Sequence, residues 1–329
     1  MRLPHLPRDC WPAWRECATP AAVRRLFRFG VAIVALLAIL IAVAPLFFRP
    51  TGNRLAITED PSKYGLAYDS VTFRPPDRPI TLRGWWIPAE QAHAALVFVH
   101  GGGDDNRSLP YGSGLALVRD LVAHRYAVLM IDLRNFGESD GTPEGITFGD
   151  LEVNDVVGAL DFLAARAPDL PAAAIGFSMG GGTVLRAAAH DPRLRAVVAD
   201  SAYADAMEVA VAFTHAATGL PTLVAAPFVW SAQHLHGVPL GRGATIAALR
   251  GATLPPVLLI HDRHDPIAPV GDCARLAAVI PTATTWITDF QQAGPFGTHI
   301  QAYRLGPAAY VERVTTFLDG VFTTTAELP

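Results

Sequence analysis

Cysteine and lysine are both scarce in this chain of 329 residues. The three cysteines, Cys10, Cys17 and Cys273, are too few for a disulfide framework or a zinc site. We expect Cys273 to pack as a small, buried apolar residue. Lys63 is the only lysine, and we draw no function from that. The formal net charge of −4 is modest, so the composition does not indicate a nucleic-acid partner.

Charge is absent from the run Phe29 to Phe48 near the N-terminus. At about 1.5 Å per residue, a helix of this length spans roughly 30 Å, the thickness of the hydrocarbon core of a bilayer. Arg24, Arg25 and Arg28 precede the run. The positive-inside rule then places the N-terminus in the cytoplasm and the rest of the chain on the extracytoplasmic side of the cytoplasmic membrane.

Two other interpretations of this run stay open. Ala42-Val43-Ala44 resembles the cleavage site of a signal peptide, although Pro45 directly after it should hinder cleavage. A buried core helix would also be apolar. The membrane interpretation divides the chain into a cytoplasmic segment 1–28, a transmembrane helix 29–48, a linker 49–66, a main domain 67–322 and a tail 323–329.

Strands alternate with helices after the linker. Residues 67–74 and 80–88 are expected to form a β-hairpin. The apolar runs before His100 and Asp132 are typical of parallel strands that are covered on both faces. This alternation predicts an α/β fold with a mostly parallel, doubly covered sheet. Residues 202–253 interrupt it and are predicted to form a helical cap or lid, with an ordinary long crossover as the alternative.

The stretch Gly176-Phe177-Ser178-Met179-Gly180-Gly181 has the pattern G-x-S-x-G between a short apolar strand and a helix predicted over Thr183 to His190. In that context the pattern predicts a sharp turn that exposes a nucleophilic serine, Ser178. The glycines let the strand and helix backbones approach closely. The same pattern also arises by chance in chains rich in glycine and alanine.

A second glycine-rich turn, His100-Gly101-Gly102-Gly103, directly follows a predicted buried strand. Such a turn can bring a backbone N–H close to a bound carbonyl oxygen, with the N–H of Met179 as a second donor. The sequence leaves open whether Gly101 or Gly102 donates. A plain glycine-rich turn is the alternative.

A serine nucleophile needs a base, and the base needs a carboxylate that orients it. On this architecture the expected chain order is serine, acid, histidine. Only one histidine, His299, lies after the acidic candidates near position 265, which makes it the predicted base. Asp265 is the predicted acid because Asp262 lies so close to a strand that it should face the sheet edge. Asp200 is a second rival for the acid.

A metal site built from His261, Asp262, His264 and Asp265 is a further alternative. It is disfavoured because four adjacent residues at a strand end cannot all point inward.

These motifs together resemble the α/β-hydrolase superfamily of serine hydrolases, over about Ser70 to Phe322. Gly84-Trp85-Trp86-Ile87-Pro88 and residues 199–203 are similar to stretches of the branch with a prolyl-oligopeptidase-like or serine-aminopeptidase-like core. The resemblance, together with the predicted membrane helix, implies a membrane-anchored hydrolase of a small acyl compound, in the first place a carboxylic ester, that needs no metal or cofactor. A serine peptidase and a non-catalytic, hydrolase-like binding module are the alternatives. Asp262 stands where many relatives carry glycine.

Overall fold

The protein is described from a computed structural model that covers residues 20–43, 54–103, 105–238, 240 and 245–326. Several predictions lie outside these residues. These predictions concern Cys10 and Cys17, most of the cytoplasmic segment, the last residues of the predicted membrane helix and the first residues of the linker.

A mixed sheet of eight strands forms the centre of the domain, in the order β1-β2-β4-β3-β5-β6-β7-β8. The first two strands are antiparallel to their neighbours, as the predicted hairpin requires, and the other pairs are parallel. The sheet confirms the predicted fold class. The strands are β1 Asp69–Phe73, β2 Leu82–Ile87, β3 Ala94–Val99, β4 Tyr126–Asp132, β5 Ala172–Phe177, β6 Leu194–Asp200, β7 Val257–Asp262 and β8 Ala283–Thr288.

Helices cover both faces of the sheet, which explains why its central strands are apolar throughout rather than alternating. All residues of β3 and β4 are buried. The helices are α1 Pro20–Val43, α2 Gly114–Ala123, α3 Val153–Arg166, α4 Met179–His190, α5 Ala206–Thr218, α6 Thr222–His236, α7 Thr245–Leu249, α8 Gly271–Ala277, α9 Ala302–Leu305 and α10 Pro307–Ala326. Cys273 of α8 is buried, as expected.

Two helices are longer than predicted. Helix α4 begins at Met179 rather than Thr183, because its glycines are buried against the sheet and tertiary packing overrides their low helix propensity. Helix α10 continues to Ala326, so residues 323–326 of the predicted tail are helical.

Helix α1 also differs from its prediction, since it starts at Pro20 rather than at Phe29. Proline suits the first turn of a helix, and the arginines that follow it are good helix formers. Val23–Val43 is long enough to cross a bilayer, and its most apolar stretch of 18 residues has a mean hydropathy of 2.7. By length and composition it fits either a membrane span or a signal sequence.

Helices α5, α6 and α7 occupy the predicted cap region between β6 and β7. Helices α5 and α6 pack on each other around a small apolar cluster that includes Ala210, Val229 and Ala232. This cluster is separate from the two larger ones beside the sheet, which gives the cap a core of its own.

Candidate active site

Ser178 occupies the turn between β5 and α4 with φ 51° and ψ −112°, a conformation that is uncommon for a residue with a side chain. The close approach of the two backbones explains the flanking glycines. A methyl group on Gly176 would lie 2.3 Å from the carbonyl oxygen of Gly180, and one on Gly180 would lie 2.3 Å from that of His100. The turn therefore requires glycine at both positions.

Three side chains that are distant in sequence meet at this turn. The Nε2 atom of His299 lies 2.8 Å from Ser178 Oγ, and its Nδ1 atom lies 2.8 Å from Asp265 Oδ2. All three residues are nearly buried, with 9% of Ser178, 8% of His299 and 5% of Asp265 exposed. In this arrangement His299 can accept the serine proton while Asp265 accepts a hydrogen bond from the opposite side of the ring.

The carboxylate of Asp265 is held in one orientation by the backbone. Its Oδ1 atom accepts hydrogen bonds from the N–H groups of Ile267 and Ala268, at 2.8 and 2.9 Å. Only Oδ2 is therefore directed at His299.

Asp262 is the last residue of β7, and its side chain is hydrogen-bonded to neighbouring loops rather than to His299. Its carboxylate accepts from Thr288 Oγ1 at 2.7 Å, from Phe290 N–H at 2.9 Å and from Thr298 Oγ1 at 2.8 Å. Burial alone would raise the pKa of Asp262, but these hydrogen bonds to the charged form lower it overall. The expectation that Asp262 faces the sheet edge misses this anchoring role.

The four residues weighed as metal ligands point to different partners. His261 Nε2 donates to the carbonyl of Ala202, and His264 Nε2 lies 2.8 Å from Asp289 Oδ1. Asp262 and Asp265 have the partners described above. Within the part of the chain that the structure describes, no group of three or more histidine, cysteine or acidic residues is arranged to hold a metal ion.

Asp200 lies at the end of β6, close enough for its charge to act on His299. Its oxygens accept from Tyr310 Oη at 2.9 Å and from Ser201 Oγ at 3.0 Å. Burial raises the pKa of Asp200 to about 6, although these two hydrogen bonds and the nearby His299 act in the opposite direction.

Ser201 connects Asp200 to the histidine loop, a connection that the sequence did not indicate. The N–H of Ile300, the residue after His299, donates to Ser201 Oγ at 3.2 Å. Ser201 and Ile300 both have φ 52°. For a β-branched residue this conformation is strained, so the loop depends on contacts such as this one to keep it in place.

One of the two candidate donors in the glycine-rich turn after β3 already has a hydrogen-bond partner within the turn. The N–H of Gly101 donates to Asp105 Oδ2 at 2.9 Å. The neighbouring Gly102 packs against Met179, the first residue of α4. This occupancy of the Gly101 N–H favours Gly102 as the partner of Met179. Asp105 was not singled out from sequence, although aspartate that binds nearby backbone N–H groups is typical of such turns.

His100 and Asp105 keep the turn in place without facing solvent. His100 Nε2 accepts from the N–H of Leu133 at 3.1 Å, so its Nδ1–H donates to the carbonyl of Gly101 at 2.6 Å. Burial lowers the pKa of His100 to about 4, which keeps the ring neutral at pH 7. Burial raises the pKa of Asp105 to about 7, against the hydrogen bonds from Asn106 and Gly101.

Two aromatic rings stand beside this turn. A methyl group on Gly103 would lie 3.0 Å from Phe213 Cζ, so the cap helix α5 contacts the glycine-rich turn directly. The ring of Phe213 lies 5.5 Å from that of Phe296, in the loop that leads to His299. Both rings are 40% exposed and present an apolar surface next to the glycine-rich turn and the loop that leads to His299. Their proximity required the tertiary structure, because the sequence offers no signal that pairs them.

Comparisons with known proteins agree with this fold. A sequence profile of the family described as "alpha/beta hydrolase fold" matches residues 94–225. The uncharacterized protein YfhR of Salmonella typhi is 29% identical over 247 residues, covering 71% of this chain and 75% of that protein. An esterase of Pyrococcus furiosus superposes with a TM-score of 0.68 at 22% identity, covering 82% of this chain and 97% of that one. An esterase of Thermogutta terrifontis gives a TM-score of 0.55 at 18% identity, covering 77% of this chain and 99% of that one. With its eight-stranded sheet and its turn around Ser178, this chain has the α/β-hydrolase fold.

Proposed function

We propose that the protein is a membrane-anchored serine hydrolase that cleaves a carboxylic ester through Ser178, His299 and Asp265. The observation that carries this proposal is the continuous hydrogen-bonded path from Asp265 Oδ2 through His299 to Ser178 Oγ, with 2.8 Å at each step. Folding alone does not require these three groups to meet, because buried polar side chains can be satisfied more simply by backbone partners.

The proposed reaction begins with attack of Ser178 Oγ on the ester carbonyl. His299 takes the serine proton at Nε2 and then delivers it to the leaving alcohol, which departs as the acyl–serine ester forms. Asp265 holds the ring orientation and stabilises its positive form. A water molecule, activated by the same histidine, then releases the acid and restores the serine.

The negative charge that develops on the carbonyl oxygen needs donors in place beforehand. We assign this role to the N–H groups of Met179 and Gly102. Met179 is the first residue of α4, where backbone N–H groups have no partner within the helix. Gly101 is the weaker candidate because its N–H already donates to Asp105.

An ester is the substrate class that we favour, because the solved structures similar to this chain include esterases. The apolar rings of Phe213 and Phe296 beside the site suit an apolar acyl or alcohol part. Amides remain the second candidate class, since an acylaminoacyl peptidase of Pyrococcus horikoshii also superposes, with a TM-score of 0.51 at 16% identity. Hydrolysis rates on matched ester, thioester and amide substrates separate these classes.

We also propose that α1 anchors the protein in the cytoplasmic membrane, with the hydrolase domain outside the cytoplasm. The side chains of α1 are exposed along most of its apolar length, which a soluble protein would avoid. Arg24, Arg25 and Arg28 lie in the N-terminal turns of α1, before the uncharged run that begins at Phe29, and favour a cytoplasmic N-terminus.

The test of the hydrolase proposal is covalent labelling with a fluorophosphonate. An activated Ser178 Oγ should attack phosphorus and displace fluoride, leaving one phosphonate ester per chain without any added metal. Mass spectrometry of the peptide that contains Ser178 then identifies which residue carries the phosphonate. Ser178→Ala should remove the label, and His299→Ala should suppress it because the base is missing.

A folded sample that stays unlabelled by both the fluorophosphonate and a smaller sulfonyl fluoride would contradict the proposal and favour a non-catalytic binding module. The smaller probe is needed because a closed cap could exclude the larger one.

We expect Ser201→Ala to lower kcat roughly five- to tenfold with little change in KM. The substitution removes the hydrogen bond from Ile300 N–H, worth about 1 kcal/mol, that holds the backbone beside His299, and with it the bond that Ser201 Oγ donates to Asp200. Thr315→Ala is the matched control, since it also removes a buried hydroxyl, but from α10. Equal losses in both variants would mean that Ser201 contributes only to stability.

A shortened chain that begins at Thr51 should fold and keep its activity on a water-soluble ester. No candidate catalytic residue precedes this point, and α1 adds little to the core of the domain. Circular dichroism checks that the shortened chain folds, and the hydrolysis rate on the water-soluble ester checks that it keeps its activity. Loss of folding on removal of residues 1–50 would place the apolar segment in the core instead.

A further inference from the structure

A long central stretch of the cap carries no charge. Residues 209–241 contain no aspartate, glutamate, lysine or arginine, and they include all of helix α6. Surfaces of soluble domains usually carry both signs of charge at short intervals. A cap that faced only water would therefore be expected to carry charged side chains on its outer helix.

The outer face of α6 is apolar as well as uncharged. Leu223 is 85% exposed and Trp230 is 52% exposed, and their spacing of seven residues places them on one side of the helix. Ala226, Pro227 and His234 lie on the same side and are exposed. The Trp230 ring stacks on His234, with 4.8 Å between ring centroids. Tryptophan with an uncharged, apolar helix face is typical of segments at a membrane–water interface.

Helix α1 meets the cap where the chain would leave the bilayer. The side chains near its C-terminal end, at Ile41 and Ala42, are partly buried, whereas those described from Val23 to Ile39 are exposed. The carbonyl of Ala42 accepts a hydrogen bond from Nε2 of His236, the last residue of α6, at 2.5 Å. The end of α6 therefore lies level with the end of the apolar helix.

The same cap also borders the site. Phe213 of α5 contacts the glycine-rich turn and the ring of Phe296, and α5 connects to α6 through Gly219, Leu220 and Pro221. A surface in contact with α6 would therefore be close to the mouth of the site.

We propose that the outer face of α6, defined by Leu223, Ala226, Pro227, Trp230 and His234, docks on the lipid surface of the bilayer that α1 spans. The site would then receive apolar esters from the membrane rather than from water. This inference rests on the proposed function, and it commits to lipid because the end of α6 contacts the end of the apolar helix. A bilayer would cover the outer face of α6 and the apolar sides of α1, and neither surface would need charged side chains.

The full-length protein in lipid nanodiscs provides the test. Cys10→Ser and Cys17→Ser leave Cys273 as the one native cysteine of the sequence, and its thiol is buried. Three variants each carry one further substitution, Leu223→Cys, Ile39→Cys or Ala165→Cys, and an environment-sensitive fluorophore is attached to the introduced thiol. Ile39 lies in α1 and reports on the membrane helix. Ala165 is the position expected to stay in water: it is exposed near the end of α3, and α3 leads to the start of β5, at the edge of the sheet opposite the site. Lipids with brominated acyl chains then quench any fluorophore that lies among them.

Quenching and blue-shifted emission at Leu223 and Ile39, with neither at Ala165, are expected. Quenching at Ile39 alone would overturn the docking inference and leave the membrane helix in place. Absence of quenching at both would overturn docking and anchoring together, while fluorophosphonate labelling still reports on the hydrolase separately. A blue shift at Leu223 without lipid quenching would mean that a second copy of the chain covers α6, which also overturns the inference.

A second measurement concerns substrate delivery. The double variant Leu223→Glu, Trp230→Glu should lower the hydrolysis of a long-chain ester dissolved in the nanodisc several-fold, because two charges oppose contact with lipid. Hydrolysis of a short-chain, water-soluble ester should not change. Ala165→Glu is the matched control, since it also adds a charge to an exposed helix position, and it should alter neither rate. Equal losses on both esters would overturn the proposed delivery from lipid.

Discussion

Ser178→Ala is expected to lower kcat by about 10⁶-fold, the effect that loss of the nucleophile has in a triad enzyme. Alanine removes the atom that forms the acyl intermediate, and His299 then has only water to activate. The fold should persist, because the turn depends on Gly176 and Gly180 rather than on the hydroxyl. The residual rate, measured with purified variant at saturating substrate, reports the contribution of the oxyanion donors and of substrate binding.

Ser201→Ala serves as a comparison for this variant, since Ser201 is also buried and also has a positive φ. Its expected loss is smaller by several orders of magnitude. A loss below tenfold in a correctly folded Ser178→Ala protein would mean that another group performs the attack, and the proposed mechanism would then be wrong.

Asp265→Asn should lower kcat by about 10⁴-fold, by analogy with the same change in a serine-protease triad. Oδ1 of Asp265 accepts two backbone N–H bonds, so the carbonyl oxygen of an introduced asparagine would take that position. Its NH₂ group would then face His299 Nδ1 and donate to it. The ring would be held in the tautomer with a proton on Nε2, which cannot accept the proton of Ser178.

Asp262→Asn and Asp200→Asn are the matched controls, and both should reduce kcat far less. Neither carboxylate is hydrogen-bonded to His299: that of Asp262 binds Thr288, Phe290 and Thr298, and that of Asp200 binds Tyr310 and Ser201. Kinetics of the three variants on one ester compare them directly. A larger loss at Asp200 than at Asp265 would move the acid to the end of β6.

The apolar runs predicted most of the sheet correctly because strands covered on both faces need no polar residues. The turn around Ser178 was also predictable from the sequence, because glycine spacing, a preceding strand and a following helix are all local features. Helix ends were less accurate. The glycines from Gly180 to Gly182 are poor helix formers in isolation, and only their burial against the sheet makes them helical.

The sequence alone determined the class of fold, the candidate serine and, because no other histidine follows the acidic candidates, the candidate base. The tertiary structure decided which carboxylate meets His299, since three aspartates lie at or just after strand ends and their side-chain directions depend on neighbouring loops. It also decided that the Gly101 N–H is bonded within the turn, because Asp105 accepts from it. The pairing of Phe213 with Phe296, and of Ala42 with His236, arises from contacts between segments far apart in sequence. Local pattern carries no information about such contacts, because they depend on how the whole chain packs.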